Sequence, residues 1–248
     1  MNSIILFKYE IKRIIWSKKY LYILLLIMAS TYDFLTRLVV GGYMGTAPFS
    51  DWTYTLFLNL ISPLLMVSMI FIISRVFSER EIRVRSIIYS TPISQIQYYM
   101  LKSSVVFAVS ILTALVPIIM SFIYYRFMFG YEGFGGFIKL IIAFLLPTSI
   151  FFLGLSMVLG KINVKFVYAL FPIAFLMGSL TLGSNIVPIW ADIFGNNFFN
   201  MYSIMMLIGR KVESVPLELP ISFIYSRLGF IMLGMVFLSY ACRKKERQ

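Results

Sequence analysis

The sequence contains no histidine and only one cysteine, Cys242. Without histidine, the chain has no imidazole for general acid–base catalysis, metal ligation or proton relay. A single cysteine cannot form an internal disulfide bond or a multi-thiolate metal site. Asp33 is the one aspartate well inside an apolar run, so the sequence also lacks the paired aspartates of an intramembrane protease. These absences argue against an enzyme and against a cofactor or metal bound by this chain.

Charged residues are scarce as well, at 13% of the chain, whereas 60% of its residues are hydrophobic. Soluble domains have about 25% charged and about 45–50% apolar residues, so this composition predicts a protein embedded in a membrane. The formal net charge of +12 would also suit a nucleic-acid partner. Because the basic residues flank the apolar runs, we interpret them as a topology signal and expect no nucleic-acid partner.

Six apolar runs approach the length of about 20 residues that a helix needs to cross a bilayer. They are too long and too continuous to be the alternating strands of a membrane barrel. The sequence therefore predicts an all-α membrane protein with a single membrane domain, residues 1–248, and six transmembrane helices. The predicted spans are Tyr20–Val40, Thr53–Ser74, Ser103–Tyr125, Phe137–Leu159, Phe166–Leu182 and Ile221–Ala241.

The orientation follows from where the basic residues lie. Six spans place both termini on one side, and most of the 22 lysines and arginines fall on that side. The positive-inside rule makes this side cytoplasmic. The abundance of Ile, Lys, Phe and Tyr is typical of an AT-rich bacterial genome. We therefore expect a multi-pass protein of the bacterial cytoplasmic membrane with both termini in the cytoplasm.

An amphipathic segment precedes the first span. Ile4, Phe7, Ile11 and Ile14 recur at intervals of three and four residues, which places them on one helical face. Basic side chains lie beside or opposite that face. The pattern predicts a helix in the cytoplasmic membrane interface, with its cations near the lipid headgroups.

A charged stretch, FSEREIRVRSIIYSTPIS at 77–94, separates the second and third spans. Ser78 and Glu81 have the spacing of a capping box, so the stretch predicts a helix that begins at Ser78. Pro92 disfavours helix in the residue before it and suits the first turn of a new helix, Ile93–Lys102, that leads into the third span. A topology signal requires none of these features. We interpret the stretch as a short cytoplasmic helix that docks on a soluble partner.

Together, these features resemble the ABC-2 family of ABC transporter permeases. In that family, the loop between the second and third spans carries a coupling helix that docks on the ATPase subunit. Here the matching segments are SERE at 78–81, IIY at 87–89, STPIS at 90–94 and Lys102. The resemblance implies an ATPase-coupling role for the following residues: Glu79, Arg80, Glu81, Arg83, Arg85, Ile87, Ile88, Tyr89 and Pro92.

The resemblance also implies the partners. The one P-loop-like segment, GSLTLGSN at 178–185, lacks the lysine that would bind the phosphates, and its glycines fit close helix packing better. ATP and Mg would therefore bind to two separate ABC ATPase subunits, beside a second permease chain and the membrane lipid. Small members of the family resemble antimicrobial-peptide exporters and immunity permeases, so we expect an exported amphiphilic or hydrophobic substrate: a peptide, a lantibiotic-like antimicrobial or a lipid.

A different class of function fits the same stretch. A non-transporting membrane sensor or scaffold would also dock a cytoplasmic partner through the helix at 79–89. The two functions differ in whether an ATPase accompanies the chain and responds to changes in that helix.

The family has a long external segment between the fifth and sixth spans, with short helices that dip toward the membrane. In this chain, residues 183–220 occupy that place and are apolar and aromatic, but Asp192, Gly195, Asn196 and Asn197 interrupt them. Such a segment is a re-entrant or interfacial element covered by protein, or an ordinary external loop on the outer leaflet. The sequence leaves both readings open.

Apart from Lys139 at the edge of the fourth span, three charged residues fall inside predicted spans, which by default marks them as functional candidates. Asp33 and Arg37 are four residues apart near the outer end of the first span, and Arg227 lies in the outer half of the sixth. In one interpretation they line a cavity or pair across helices, for example Asp33 with Arg227. In the other, Asp33 and Arg37 pair locally and the long side chains reach the outer interface.

Overall fold

The computed structural model describes residues 3–79, 81–83, 94–180, 187–208 and 215–243. Over these ranges the chain is helical and has no strand. The helices are α1 (Ser3–Ile15), α2 (Lys18–Phe34, continued by a π-helical turn at Leu35–Val39), α3 (Asp51–Val76), α4 (Gln95–Phe129), α5 (Gly135–Ile162), α6 (Val164–Ser179), α7 (Asn196–Leu207) and α8 (Ile221–Arg243).

Local signals in the sequence set several helix starts. Ser50 accepts a hydrogen bond from the backbone N–H of Thr53 at 3.2 Å and caps α3. At α4, Ser94 and Gln97 form a complete capping box, which satisfies two backbone donors that the first turn of a helix leaves free. The predicted helix start at Ile93 therefore lies close to the observed one, and α4 continues unbroken through the third predicted span.

Within the described residues, five helices are long and apolar enough to cross a membrane: Lys18–Val39, α3, α4, α5 and α8. The predicted class, a helical membrane protein, is confirmed at this level. The fifth predicted span coincides with α6, which has only 16 residues. At 1.5 Å per residue it is about 24 Å long, shorter than the hydrocarbon core of about 30 Å.

Helix α3 forms the centre of the bundle. In its most apolar stretch, 72% of the residues are buried, whereas the share of buried residues is 22% in the corresponding stretches of α2 and α8. A helix that is apolar on all sides is buried among others, and α3 packs against α2, α4, α5 and α6. The low burial of α2 and α8 leaves wide apolar faces for lipid or for another chain.

Glycines allow two close helix contacts. A Cβ atom on Gly154 of α5 would lie 2.2 Å from the carbonyl oxygen of Gly234 on α8, so the two backbones meet directly. On α6, a Cβ atom on Gly178 would lie 2.4 Å from Cγ of Pro63. The interpretation of Gly178 as a packing residue is therefore confirmed.

Candidate functional site

The start of the predicted coupling helix is visible. After α3, residues 79 and 81–83 are helical, and the backbone N–H of Ile82 donates to the carbonyl of Ser78 at 3.0 Å. The rest of the predicted coupling set lies outside the described residues: Arg80, Arg85, Ile87, Ile88, Tyr89 and Pro92.

Glu81 is buried inside the protein, with 5% of its surface exposed. The expected capping box of Ser78 and Glu81 does not form, because the hydroxyl and the backbone N–H of Ser78 both donate to the carbonyl of Arg75, at 2.9 and 3.3 Å. The carboxylate of Glu81 instead accepts hydrogen bonds from Lys102 Nζ at 2.8 Å, from the Tyr98 hydroxyl at 3.3 Å and from Arg13. These donors stabilise a charge that would otherwise be costly to bury.

Four charged side chains form what we call the ion cluster: Glu10, Arg13, Glu81 and Lys102. Lys102 Nζ lies 2.9 Å from Glu10 Oε2 and 2.8 Å from Glu81 Oε2, so it bridges the two carboxylates. Arg13 contacts the same two carboxylates, with its guanidinium 2.8 Å from Glu10. The cluster has no net charge, and it joins α1, the turn at 79–83 and the first turns of α4.

Electrostatics favour the charged forms within the cluster. Burial by itself would raise the pKa of the Glu81 carboxyl, but the hydrogen bond and charge of Lys102, together with Arg13, hold it below its ordinary value. Burial opposes the charge of Arg13, yet Glu10 and Glu81 outweigh that effect and raise its pKa. Removing one member of such a network leaves an uncompensated buried charge on another.

Sequence reasoning missed the role of Glu10 and noted Lys102 only as a basic residue before the third span. A signal was present for both. Glu10 lies three residues from Phe7 and four from Ile14, within the apolar face of α1, and Lys102 precedes the buried Val105 on α4. A lone charge on an otherwise buried helical face indicates a paired charge.

The other described residues of the turn are at the surface. Glu79, Ile82 and Arg83 are exposed, and Ile82 has 52% of its surface accessible. Within one turn, Glu81 is therefore inside the protein, whereas Glu79, Ile82 and Arg83 are at its surface.

The intramembrane charges do not meet as one pair. Arg37 Nε lies 2.7 Å from Asp33 Oδ1, and both side chains are largely exposed. The suggested pairing of Asp33 with Arg227 is therefore wrong, and the local pair is the observed one. The spacing of four residues on one helix places the two side chains side by side.

Arg227 is buried, with 3% of its surface exposed. Its guanidinium donates to the backbone carbonyls of Ile193, at 2.7 Å, and of Asp192. Thr148 also donates to the carbonyl of Ile193 at 2.9 Å, and Ser226 donates to that of Ile189 at 2.8 Å. We call these contacts between α5, α8 and residues 189–193 the clasp.

Asp192 connects the clasp to α7. Its carboxylate accepts hydrogen bonds from the backbone N–H of Gly195 at 3.0 Å and of Phe198 at 2.8 Å, which satisfies free donors at the start of the helix. Asn196 donates to the carbonyls of Met177, Gly178 and Leu180 at the end of α6. The described part of the segment between the fifth and sixth predicted spans is therefore packed into the protein, which favours a covered element over a loose loop.

A cavity of about 400 Å³ lies between α2, α3, α6 and α7. Its lining is mainly apolar and includes Phe34, Leu64, Phe175 and Phe199. Asn59 also lines it, and the amide oxygen of this buried side chain accepts no hydrogen bond from the described residues. The space suits an apolar group that carries one hydrogen-bond donor.

The geometry thus gives one charged junction, the ion cluster at the start of α4, and one covered segment, the clasp with α7, which α5 and α8 hold. Comparison with known proteins assigns no function to the ion cluster or to the clasp. No family model, no curated protein and no solved structure matches this chain.

Proposed function

We propose that this chain is the membrane-spanning permease subunit of an ATP-driven exporter of the ABC-2 type. The observation that carries the proposal is the burial of Glu81 against Lys102 and Arg13. A segment that transmits the movement of a partner needs a stiff connection to the spans. Separating Glu81 from its partners would cost several kcal/mol, so a displacement of the turn at 79–83 would carry α1 and α4 with it.

The exposed side of the same turn supplies a surface for the partner. Glu79, Ile82 and Arg83 combine an acid, an apolar side chain and a base at the surface, a mixture that suits specific docking on a soluble protein. In this proposal the partner is a pair of ABC ATPase subunits that bind ATP and Mg, and the permease pairs with a second permease chain. Nucleic acid has no part in it.

The proposed topology has six spans, with α6 as the short fifth, and places both termini in the cytoplasm of a bacterium. The ion cluster then lies at the cytoplasmic face, and the clasp lies at the outer face. Helix α1 lies in the cytoplasmic interface, where Ile4, Ile5 and Trp16 keep large exposed apolar surfaces that suit contact with lipid.

The proposed substrate is amphiphilic or hydrophobic: a peptide, a lantibiotic-like antimicrobial or a lipid. The apolar cavity beside Asn59 supports this class, because it offers apolar side chains and one unpaired acceptor. Antimicrobial export or immunity is the biological role that such a substrate favours.

The experiment is purification of the tagged chain from its native membrane, followed by mass spectrometry of the proteins that accompany it. We expect a P-loop ATPase in the complex, and we expect Arg83→Glu to weaken its retention while Lys165→Glu, an exposed basic residue on α6, does not. If an ATPase is recovered but its rate of ATP hydrolysis is the same with both variants, the result would favour a scaffold that docks a partner through residues 79–89. Failure to recover any ATPase would contradict the proposal.

A further inference from the structure

A second cavity, of about 460 Å³, lies beside the ion cluster between α1, α2, α3 and α4. Four basic side chains line it, Arg13, Lys19, Arg75 and Lys102, against two acidic ones, Glu10 and Glu81. Both acidic side chains are already engaged by Lys102 and Arg13. The remaining two basic residues therefore give the cavity an excess of positive charge.

Arg75 is the most unusual of these residues. It is only partly exposed, and the one hydrogen bond it makes among the described residues is from Nη1 to the Ser17 hydroxyl, at 2.9 Å. A guanidinium carries five N–H donors, so most of its donors have no protein acceptor here. Arg75 also lies near enough to Arg13 to experience its positive charge. A partly buried cation with spare donors and a like charge beside it is stabilised by an anion.

Lys19 adds a second available cation at the same cavity. It is exposed on the first turn of α2 and has no ion pair within the described parts of the chain. Arg75 and Lys19 thus both offer donors to one space, and neither forms an ion pair within 4.0 Å of a carboxylate among the described residues, although the charge of Glu81 also acts on Arg75.

Apolar side chains line the same cavity about one helical turn from Arg75 and Lys102. They are Phe71 and Ile72 of α3 and Val105 and Val106 of α4. A space that combines cations with aliphatic and aromatic side chains fits a headgroup phosphate attached to acyl chains. Basic pockets between membrane helices commonly bind anionic headgroups.

We propose that Arg75 and Lys19, with Arg13 beside them, bind a phosphate group in this cavity, and that its principal source is the headgroup of an anionic phospholipid. The site does not depend on the proposed transport function, because it needs neither the ATPase nor the exported substrate. Bound there, the lipid would neutralise the excess charge next to the ion cluster.

The test uses the full chain purified in detergent and mixed with phosphatidylglycerol or phosphatidylcholine, with native mass spectrometry to count the retained lipids. We expect retention of phosphatidylglycerol over phosphatidylcholine. Each cation near a lipid surface contributes enough for about a fivefold change in retention, so Arg75→Gln and Lys19→Gln are expected to lower it about fivefold each. Arg75→Lys should keep most of it.

Lys165→Gln is the matched control, since it removes a basic residue from the start of α6 outside the cavity. It should leave retention unchanged. Thermal unfolding of each variant shows whether it is folded, and the exposed position of Lys19 keeps the test usable if Arg75→Gln does not fold. Equal retention of the two lipids would overturn the proposal. So would a folded Lys19→Gln variant that retains as much phosphatidylglycerol as the Lys165→Gln control.

Inorganic phosphate distinguishes the two sources of the anion. The lipid-free chain is titrated with inorganic phosphate in a calorimeter. Binding that Arg75→Gln weakens would support the site and identify free phosphate as a ligand. Retention of phosphatidylglycerol without binding of inorganic phosphate would identify the lipid headgroup. Binding of neither would contradict the site.

Discussion

Two regions of the bundle are held by different kinds of contact. In the ion cluster, charged side chains from α1, α4 and the turn that holds Glu81 pair with one another. In the clasp, Arg227 and two hydroxyl groups bind backbone carbonyls of residues 189–193. The charge pairs connect three separate segments, so that displacing one would displace the others, whereas the contacts to backbone carbonyls hold one covering segment in place.

The largest effect is expected at the centre of the ion cluster. Lys102→Met should lower the free energy of unfolding by about 3–5 kcal/mol, because it leaves the buried carboxylates of Glu10 and Glu81 without their shared cation. Denaturant unfolding in detergent would measure it. Lys165→Met, at an exposed lysine, should change the value by less than about 0.5 kcal/mol. Equal effects of the two variants would contradict the network.

The second largest loss of stability is expected at the clasp. Arg227→Met is expected to destabilise the protein by about 3 kcal/mol, since charged hydrogen bonds contribute about 1.5–3 kcal/mol each and Arg227 makes two to backbone carbonyls. It should also speed proteolysis within residues 187–208. Arg126→Met is the control, because its pair with Glu132 is exposed on both sides. Equal changes in stability and in proteolysis for Arg227→Met and Arg126→Met would contradict a structural role of the clasp.

The helices that carry the clasp depend on one close contact. Gly234→Ala should cost about 1–3 kcal/mol by overpacking, because its new Cβ atom would lie 2.5 Å from the carbonyl oxygen of Ile150. Gly229→Ala on the same helix meets nothing within 4 Å, and it should stabilise the helix by about 0.5–1 kcal/mol. Thermal unfolding compares the two, and the same sign for both would contradict the close approach of α5 and α8.

Acid should weaken the ion cluster more than the clasp. The pKa of Glu81 is held below its ordinary value in the folded protein, so its contribution is complete above that ordinary value, about 4.3. The contribution is lost as the pH falls through the lower, folded pKa. The stability difference between the wild type and Glu81→Gln should therefore shrink in acid. A difference that stays constant from pH 7 to pH 3 would contradict the pairing.

The smallest effect is expected for the exposed pair on α2. Asp33→Asn should change the free energy of unfolding by about 0.5 kcal/mol or less, because its partner Arg37 is four residues away at the surface. Unfolding in detergent at low and high salt would measure it. A loss of several kcal/mol would mean that Asp33 has a buried role.

The helical class and the positions of the long helices could be predicted from the sequence, because apolar runs are local signals. The partners of the charged residues could not. Lys102 and Glu10 are 92 residues apart, and no spacing rule relates two positions on different helices. Arg227 binds backbone carbonyls, which every residue possesses, so no residue type could mark its partner.

The burial of Glu81 shows a further reason. The pattern at 78–81 fits a capping box and the pattern of a charged surface helix equally well, and both place Glu81 outside. The tertiary contacts with Lys102 and Arg13 are stronger than a surface cap, because they satisfy a carboxylate with charged donors. The local pattern therefore predicted the environment of Glu81 wrongly.

In the proposed transporter, the buried Glu81, rather than the exposed Glu79, would connect the ATPase to the spans. The most direct test compares Glu81→Gln with Glu79→Gln in the purified complex, at a saturating concentration of the ATPase, and measures how far the permease changes the rate of ATP hydrolysis. The account predicts that Glu81→Gln abolishes most of this change while the complex still forms, and that Glu79→Gln retains it. Equal retention in both variants would contradict the account.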